Sequence, residues 1–141
     1  MRVSDVLSSK GSGVVFRPDA SVSELLDKLA EFNVGALVVS DDGQQLLGIV
    51  SERDVVRKIR DFGNAHNTTV ESIMTTDVRV CEPGDSFGSL MGVMTDHRIR
   101  HVPVLEDGVL VGVLSIGDAV KYRMDQLEFE RDQLNNYVAG G

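Results

Sequence analysis

Sliding the chain along itself produces one register that constrains everything else, a repeat with a period of about 65 residues. Val15-Phe16-Arg17-Pro18-Asp19-Ala20-Ser21 returns as Val80-Cys81-Glu82-Pro83-Gly84-Asp85-Ser86, with the valine, proline and serine identical. The same offset carries Leu25 onto Leu90, Leu29 onto Met94, Val34 onto Ile99, Val39 onto Val104 and Asp42-Gly43 onto Asp107-Gly108. One residue is then lost from the second copy's turn, and Gly48-Ile49-Val50-Ser51-Glu52-Arg53-Asp54 matches Gly112-Val113-Leu114-Ser115-Ile116-Gly117-Asp118. Upstream, Val3-Ser4-Asp5-Val6-Leu7 reappears as Val70-Glu71-Ser72-Ile73-Met74. A repeat of this kind means duplicated supersecondary units stacked to share a core, so the question becomes what one unit is.

Within a unit the hydrophobic period changes in a readable order. After Pro18 and Ser21, Val22, Leu25, Leu26, Leu29 and Phe32 follow helical spacing on one face, behind a Ser or Asp cap. Val34 to Val39 is a short β-branched run closed by Asp41-Asp42-Gly43, and Leu46 to Val50 resumes it, which predicts two strands joined by an Asp-Gly turn. Ser51 to about Phe62 returns to helical spacing, with Val55, Val56 and Ile59 inward and Arg53, Arg57, Lys58 and Arg60 outward. The second unit repeats this with a helix from Phe87 to His97, strands at Val102 to Leu105 and Val109 to Leu114, and a helix from Ser115.

The reading divides the chain into a first repeat at 1–63, a polar linker at 64–69, a second repeat at 70–124, and a C-terminal helix and tail at 125–141. A βαββα unit of this size buries too little alone, so the two should pack about a pseudo-twofold axis as an α+β fold, with equivalent clefts between them. The last helix runs on to about Val138, with Val120, Met124, Leu127, Leu134 and Val138 on one stripe. That stripe reads either as a packed or solvated terminal helix or as a dimer contact.

Composition narrows the function. Hydrophobic residues at 42% with 26% charged are ordinary globular usage, so the chain of 141 residues should fold. Twenty-two Asp and Glu against 14 Lys and Arg give a net charge of -8, which lacks the basic footprint of a nucleic-acid binder. The single cysteine, Cys81, has no partner for a disulfide or a C-x-x-C site, and a reducing cytoplasm is expected. The longest apolar runs are about five residues and Met1-Arg2-Val3-Ser4-Asp5 has no apolar core, so neither a membrane span nor an export signal is expected.

The repeated Gly-x-x-Ser-x-x-Asp places a hydroxyl and a carboxylate one turn apart where a strand enters a helix N-terminus, beside free amides and the positive end of the dipole. The carboxylate can accept from both vicinal hydroxyls of a ribose, and the serine and amides can donate to phosphate. Together they describe a nucleotide cradle. Ser51 to Asp54 and Ser115 to Asp118 are equally good capping boxes, and the two roles can coexist.

These Gly-h-h-Ser-x-x-Asp endings, with Val102-Pro103-Val104 and the βαββα repeat, make nearly the whole chain resemble a tandem pair of cystathionine-β-synthase-type (CBS) domains. It is similar to small stand-alone members consisting of the pair and a terminal helix. The resemblance implies a module that binds adenosine compounds such as AMP, ATP, NAD(H) or S-adenosylmethionine between the repeats and regulates another protein. It implies ribose on Asp54 and Asp118 and phosphate near Ser51 and Ser115, with Arg53 in the same site. The bases would be framed by Val15-Phe16 and Ala36-Leu37 in one unit, and by Val80-Cys81 and His101-Val102 in the other. The first repeat departs from the pattern, because Gly35-Ala36-Leu37-Val38-Val39 lacks the proline and basic residues of Arg100-His101-Val102-Pro103-Val104. The clefts should therefore differ, with Arg98, Arg100 and His101 either holding phosphate or serving as a solvated helix end. Lys10-Gly11-Ser12-Gly13 reads as a phosphate-wrapping loop or a plain turn.

Catalysis has little to stand on. Cys81, Ser51 and Ser115 lack a supporting base motif, and His66, His97 and His101 lack zinc-ligand spacing. There is no Walker loop and no Gly-x-Gly-x-x-Gly. The reading is a non-enzymatic adenosyl-ligand sensor, expected as a homodimer serving an effector protein, with AMP, ATP or NAD(H) as ligand. The alternative is a protein-interaction module that binds no ligand.

Overall fold

A computed structural model describes residues 2–7, 15–62 and 68–140. The Lys10-Gly11-Ser12-Gly13 loop and most of the linker, residues 63–67, lie outside the described residues. In chain order the elements are α1 (Val3–Leu7), β1 (Val15–Phe16), α2 (Val22–Phe32), β2 (Ala36–Val39), β3 (Gly48–Ser51), α3 (Glu52–Phe62), α4 (Val70–Ile73), α5 (Phe87–Asp96), β4 (His101–Glu106), β5 (Val109–Ser115) and α6 (Ile116–Gly140).

Local chemistry explains where these begin and end. Ser21 caps α2 by accepting from the Glu24 N–H at 3.1 Å, and Asn33 closes it in the left-handed region at φ 53°. Ser86 repeats the first device at α5, accepting from the Ser89 N–H at 3.3 Å. In the β4–β5 hairpin Asp107 and Gly108 both have positive φ, 52° and 80°, as the Asp-Gly pairing of a tight primed turn requires.

The first sheet runs β1-β2-β3, with β1 parallel to β2 and β2 antiparallel to β3. In the second unit β4 pairs antiparallel with β5, and Cys81 bridges Val104 in parallel where β1 would stand. The loop between β2 and β3 is tied across to the second unit, since the Leu110 N–H donates to the Gln44 carbonyl at 2.8 Å.

Two cores form, and each contains a helix from the other repeat. Val3 and Val6 of α1 are buried with Phe87, Leu90, Met94, Val102, Val104 and Leu114 of the second unit. Val70 of α4, with Ile73 and Met74 against it, packs with Val22, Leu25, Leu29, Leu37, Val39 and Val50 of the first. The exchange is symmetric in its hydrogen bonds. Val3 and Ser4 N–H groups donate to the carbonyls of Asp85 and Pro83 at 2.9 Å each, while Val70 and Glu71 donate to those of Ala20 and Pro18 at 2.8 and 3.0 Å. Burying a valine contributes about 1.5–3 kcal/mol, so this crossing of short helices clamps the two units together.

The inward face of α3 differs from the expected one. Val55 is buried, but Val56 and Ile59 are 63% and 49% exposed. The face turned inward carries Asp54, Val55 and Lys58, because hydrogen bonds to Ser51 hold Asp54 on the inner side and rotate its neighbours outward. Among the described residues no helix is long and apolar enough to cross a membrane.

Candidate functional site

The two motif copies sit where the sequence pattern puts them, at the junctions of β3 with α3 and of β5 with α6. The first forms a capping box, and in the second the serine caps the helix and donates its hydroxyl to the aspartate. The Ser51 N–H and Oγ–H donate to Asp54 Oδ2 at 2.8 and 3.1 Å, and the Asp54 N–H returns a bond to Ser51 Oγ at 3.4 Å. Ser115 Oγ donates to Asp118 Oδ2 at 2.5 Å, and the Asp118 N–H donates to Ser115 Oγ at 3.1 Å. The capping role is thus real in both copies. It engages one carboxylate oxygen of Asp54 with Ser51, and Oδ1 faces the Arg57 guanidinium at 3.9 Å. A carboxylate has about four lone-pair sites, so the cap leaves capacity for further donors.

The next amide of each helix is tied back to a strand entrance. The Glu52 N–H donates to the Gly35 carbonyl at 3.0 Å and the Ile116 N–H to the Arg100 carbonyl at 2.8 Å. Across the ladders Ala36 stands opposite Ser51 and His101 opposite Ser115. Gly35-Ala36 and Arg100-His101 therefore meet between the motifs as a shared wall.

A cleft of about 450 Å³ opens on one side of that wall, lined by Ser51, Arg53, Asp54 and Arg57 of the first unit and by Arg98, Arg100 and His101 of the second. A second cleft of about 460 Å³ lies on the other side, lined by Ser115, Gly117 and Asp118 with Gly35, Ala36, Leu37, Arg100 and His101. Each cleft joins one unit's motif to the other's strand entrance. Among the described residues the first gathers four arginines, in a chain whose net charge is -8, whereas the second has Arg100 alone. Planar guanidinium groups suit phosphate oxygens, so the two clefts offer different electrostatics.

The remaining expected residues lie elsewhere. Val15 is in β1 opposite Val38, and Phe16 packs against the first core and does not line the two clefts. Val80 and Cys81 line a separate hollow of about 380 Å³ with Asp85 and Leu90. Burial and the nearby Asp85 push the Cys81 thiol up to about 12. Val102 is fully buried in the second core. Lys10 lies outside the described residues.

The motif glycines stand where the neighbouring segments come closest to the strands. A Cβ on Gly48 would stand 2.7 Å from the Thr75 carbonyl oxygen and 2.9 Å from Met74 Sδ, and one on Gly112 would stand 3.2 Å from Leu7 Cδ2. They make room for the exchanged helices α4 and α1. Arg57 and Thr75 line the first cleft without having been singled out. Arg57 was readable as one turn beyond Asp54 on the same helix. Thr75 was not, because only the exchange of α4 brings it to β3, where it bridges Ile49. Among the described residues no group of His, Cys, Asp and Glu is arranged to hold a metal ion.

Comparison with known proteins agrees with this architecture. The family model described as the CBS domain matches twice, at residues 3–61 and 70–125. The CBS domain-containing protein CBSX3, mitochondrial, of Arabidopsis thaliana is 38% identical over 99% of this chain and 72% of its own length. The crystal structure of the CBS-domain containing protein ATU1752 from Agrobacterium tumefaciens superposes with a TM-score of 0.81 at 41% identity, covering 87% of this chain and 99% of that one. The CBS domain pair of protein MJ0100, solved in complex with 5′-methylthioadenosine and S-adenosyl-L-methionine, shares the fold with a TM-score of 0.76 at 23% identity, over 86% of this chain and 98% of that one.

Proposed function

Because the chain belongs to the CBS domain family, we propose that it is a regulatory sensor that takes an adenosine-containing small molecule into the two clefts and signals its presence to an effector protein. The observation that carries this is the convergence of Ser51 and Asp54 with Arg53, Arg57, Arg98 and Arg100 on one cleft. A ribose diol donates to the Asp54 carboxylate, Ser51 Oγ and the start of α3 face the phosphate, and the guanidinium groups take its charge. On this reading AMP or ATP suits the arginine-rich first cleft. The second cleft, with Asp118 for ribose and Arg100 as its guanidinium, suits a longer and less charge-dense ligand such as NAD(H). The adenosine ligands of the MJ0100 pair are of the same class. The module acts without catalysis, as a homodimer in the cytoplasm, and nucleic acid is not its partner.

The capping hydrogen bonds of both motifs favour a second reading, in which serine and aspartate only cap helices and the pair is a protein-interaction module. Calorimetric titration with AMP, ATP, NAD(H) and S-adenosylmethionine separates the two. Saturable binding of at least one supports the sensor, and no heat with any of the four supports the interaction module.

A further inference from the structure

The far half of α6 has no covering among the described residues. Every residue of 127–140 is exposed, and these include Leu127, Phe129, Leu134, Tyr137 and Val138. About four turns of helix standing alone in water are marginal, so this segment needs a packing partner to be stable. Its own pattern specifies one. Val120, Met124, Leu127, Leu134 and Val138 alternate four-residue and three-residue steps, and Arg131 fills the step between Leu127 and Leu134. That is the seam of a two-stranded coiled coil, interrupted by one charge.

We propose that the occupant of this seam is α6 of a second copy of the chain, running antiparallel. This rests on the homodimer reading above and assigns its surface and orientation. The charge decides the direction. A parallel pair would set Arg131 against Arg131 in one layer, two like charges face to face. An antiparallel pair sets Arg131 against the partner's Leu127, where its guanidinium reaches the partner's Glu128 and Glu130 on the flanks of the seam. It also lays Leu134 and Val138 over the partner's Met124 and Val120, so the free end of one helix covers the exposed stripe of the other, where Val120 and Met124 are 42% and 57% exposed. Each α6 thereby crosses onto the other molecule beside the second cleft, since the helix begins at the Ser115 and Asp118 motif.

The test is cysteine cross-linking in the full chain, with light scattering beside it. Cys81 is buried, so thiols introduced by Met124→Cys or Leu134→Cys on the exposed helix are the ones that react. The proposal expects a dimer by light scattering, and a disulfide-linked dimer when the two variants are mixed and oxidised, with neither variant alone cross-linking. A dimer in which either variant cross-links with itself overturns the antiparallel direction and makes the pairing parallel, and a dimer that cross-links in no combination overturns the α6 pairing and leaves a homodimer standing on another surface. A monomer overturns both.

Discussion

His101 stands opposite Ser115 in the β4–β5 ladder at the place Ala36 holds opposite Ser51 in β2–β3. His101 and Ala36 line both clefts, and what makes the clefts unequal is Arg53, Arg57 and Arg98, which line the first and not the second. The wall between them carries a basic face supplied by the second repeat, while the first repeat supplies small residues and backbone. Arg98 borders the first cleft and Arg100 borders both.

That geometry predicts different reach for two neighbouring arginines. Arg98→Ala should weaken AMP in the first cleft alone, and Arg100→Ala should weaken phosphate-bearing ligands in both. A lost hydrogen bond to a charged group costs about 1.5–3 kcal/mol, roughly tenfold or more in affinity. Calorimetry with AMP and with adenosine reads this directly, because adenosine affinity should be nearly unchanged. Equal losses for both ligands would mean that the arginines support the fold.

Removing the caps should cost stability apart from any ligand. Ser51→Ala and Ser115→Ala each delete a hydroxyl that accepts a helix amide and donates to an aspartate. Each should lower the unfolding free energy by about 0.5–2 kcal/mol in urea denaturation. No change in either variant would show that the capping bonds contribute nothing.

The exchanged helices make the two motif glycines unequally replaceable. Gly48→Ala must displace the Thr75 backbone, whereas Gly112→Ala meets a methyl of Leu7 that can rotate away. Overpacking of this kind costs about 1–3 kcal/mol, so Gly48→Ala should lower the thermal midpoint more than Gly112→Ala. The reverse order would contradict the packing of α4 against β3.

Cys81 should be chemically quiet and should give stability a pH dependence in alkali. Burial, then the charge of Asp85, raise its thiol from 9.0 to about 12. A raised folded value means the neutral thiol is favoured in the fold. Its contribution is therefore complete below about pH 9 and fades as the pH rises towards about 12. Denaturant midpoints of the parent should fall through that window more steeply than those of Cys81→Ala, and a thiol reagent at neutral pH should label the protein only after unfolding. Rapid labelling of the native protein would place Cys81 at the surface.

Local features were legible and associations between segments were not. The repeat, the Asp107-Gly108 turn, the caps at Ser21 and Ser86, and the strand-to-helix motifs all follow from residues near one another in the chain. A five-residue helix such as Val3–Leu7 shows an apolar face but carries no mark of which core receives it, and its exchange with Val70–Ile73 was not foreseen. Spacing alone does not select the inner face of α3, because Val56 and Ile59 fit helical spacing as well as Val55 does, and the hydrogen bonds that turn Asp54 inward leave no mark in it. Resemblance implies that Val80 and Cys81 frame a base, whereas in the fold they line a hollow of their own with Asp85 and Leu90. That Arg100 serves both clefts depends on how the units meet, which neither unit's pattern contains.

The central claim is that the paired motifs hold the ribose of an adenosine ligand. Its most direct measurement is the calorimetric affinity for AMP and for NAD(H) of the parent chain and of the Asp54→Ala, Asp118→Ala and double variants, with circular dichroism confirming that each remains folded. Each single change should weaken one class of site by about 1–3 kcal/mol, roughly 5- to 150-fold, and the double variant should weaken both. A folded double variant that binds AMP and NAD(H) as the parent does would reduce both motifs to helix caps and contradict the account.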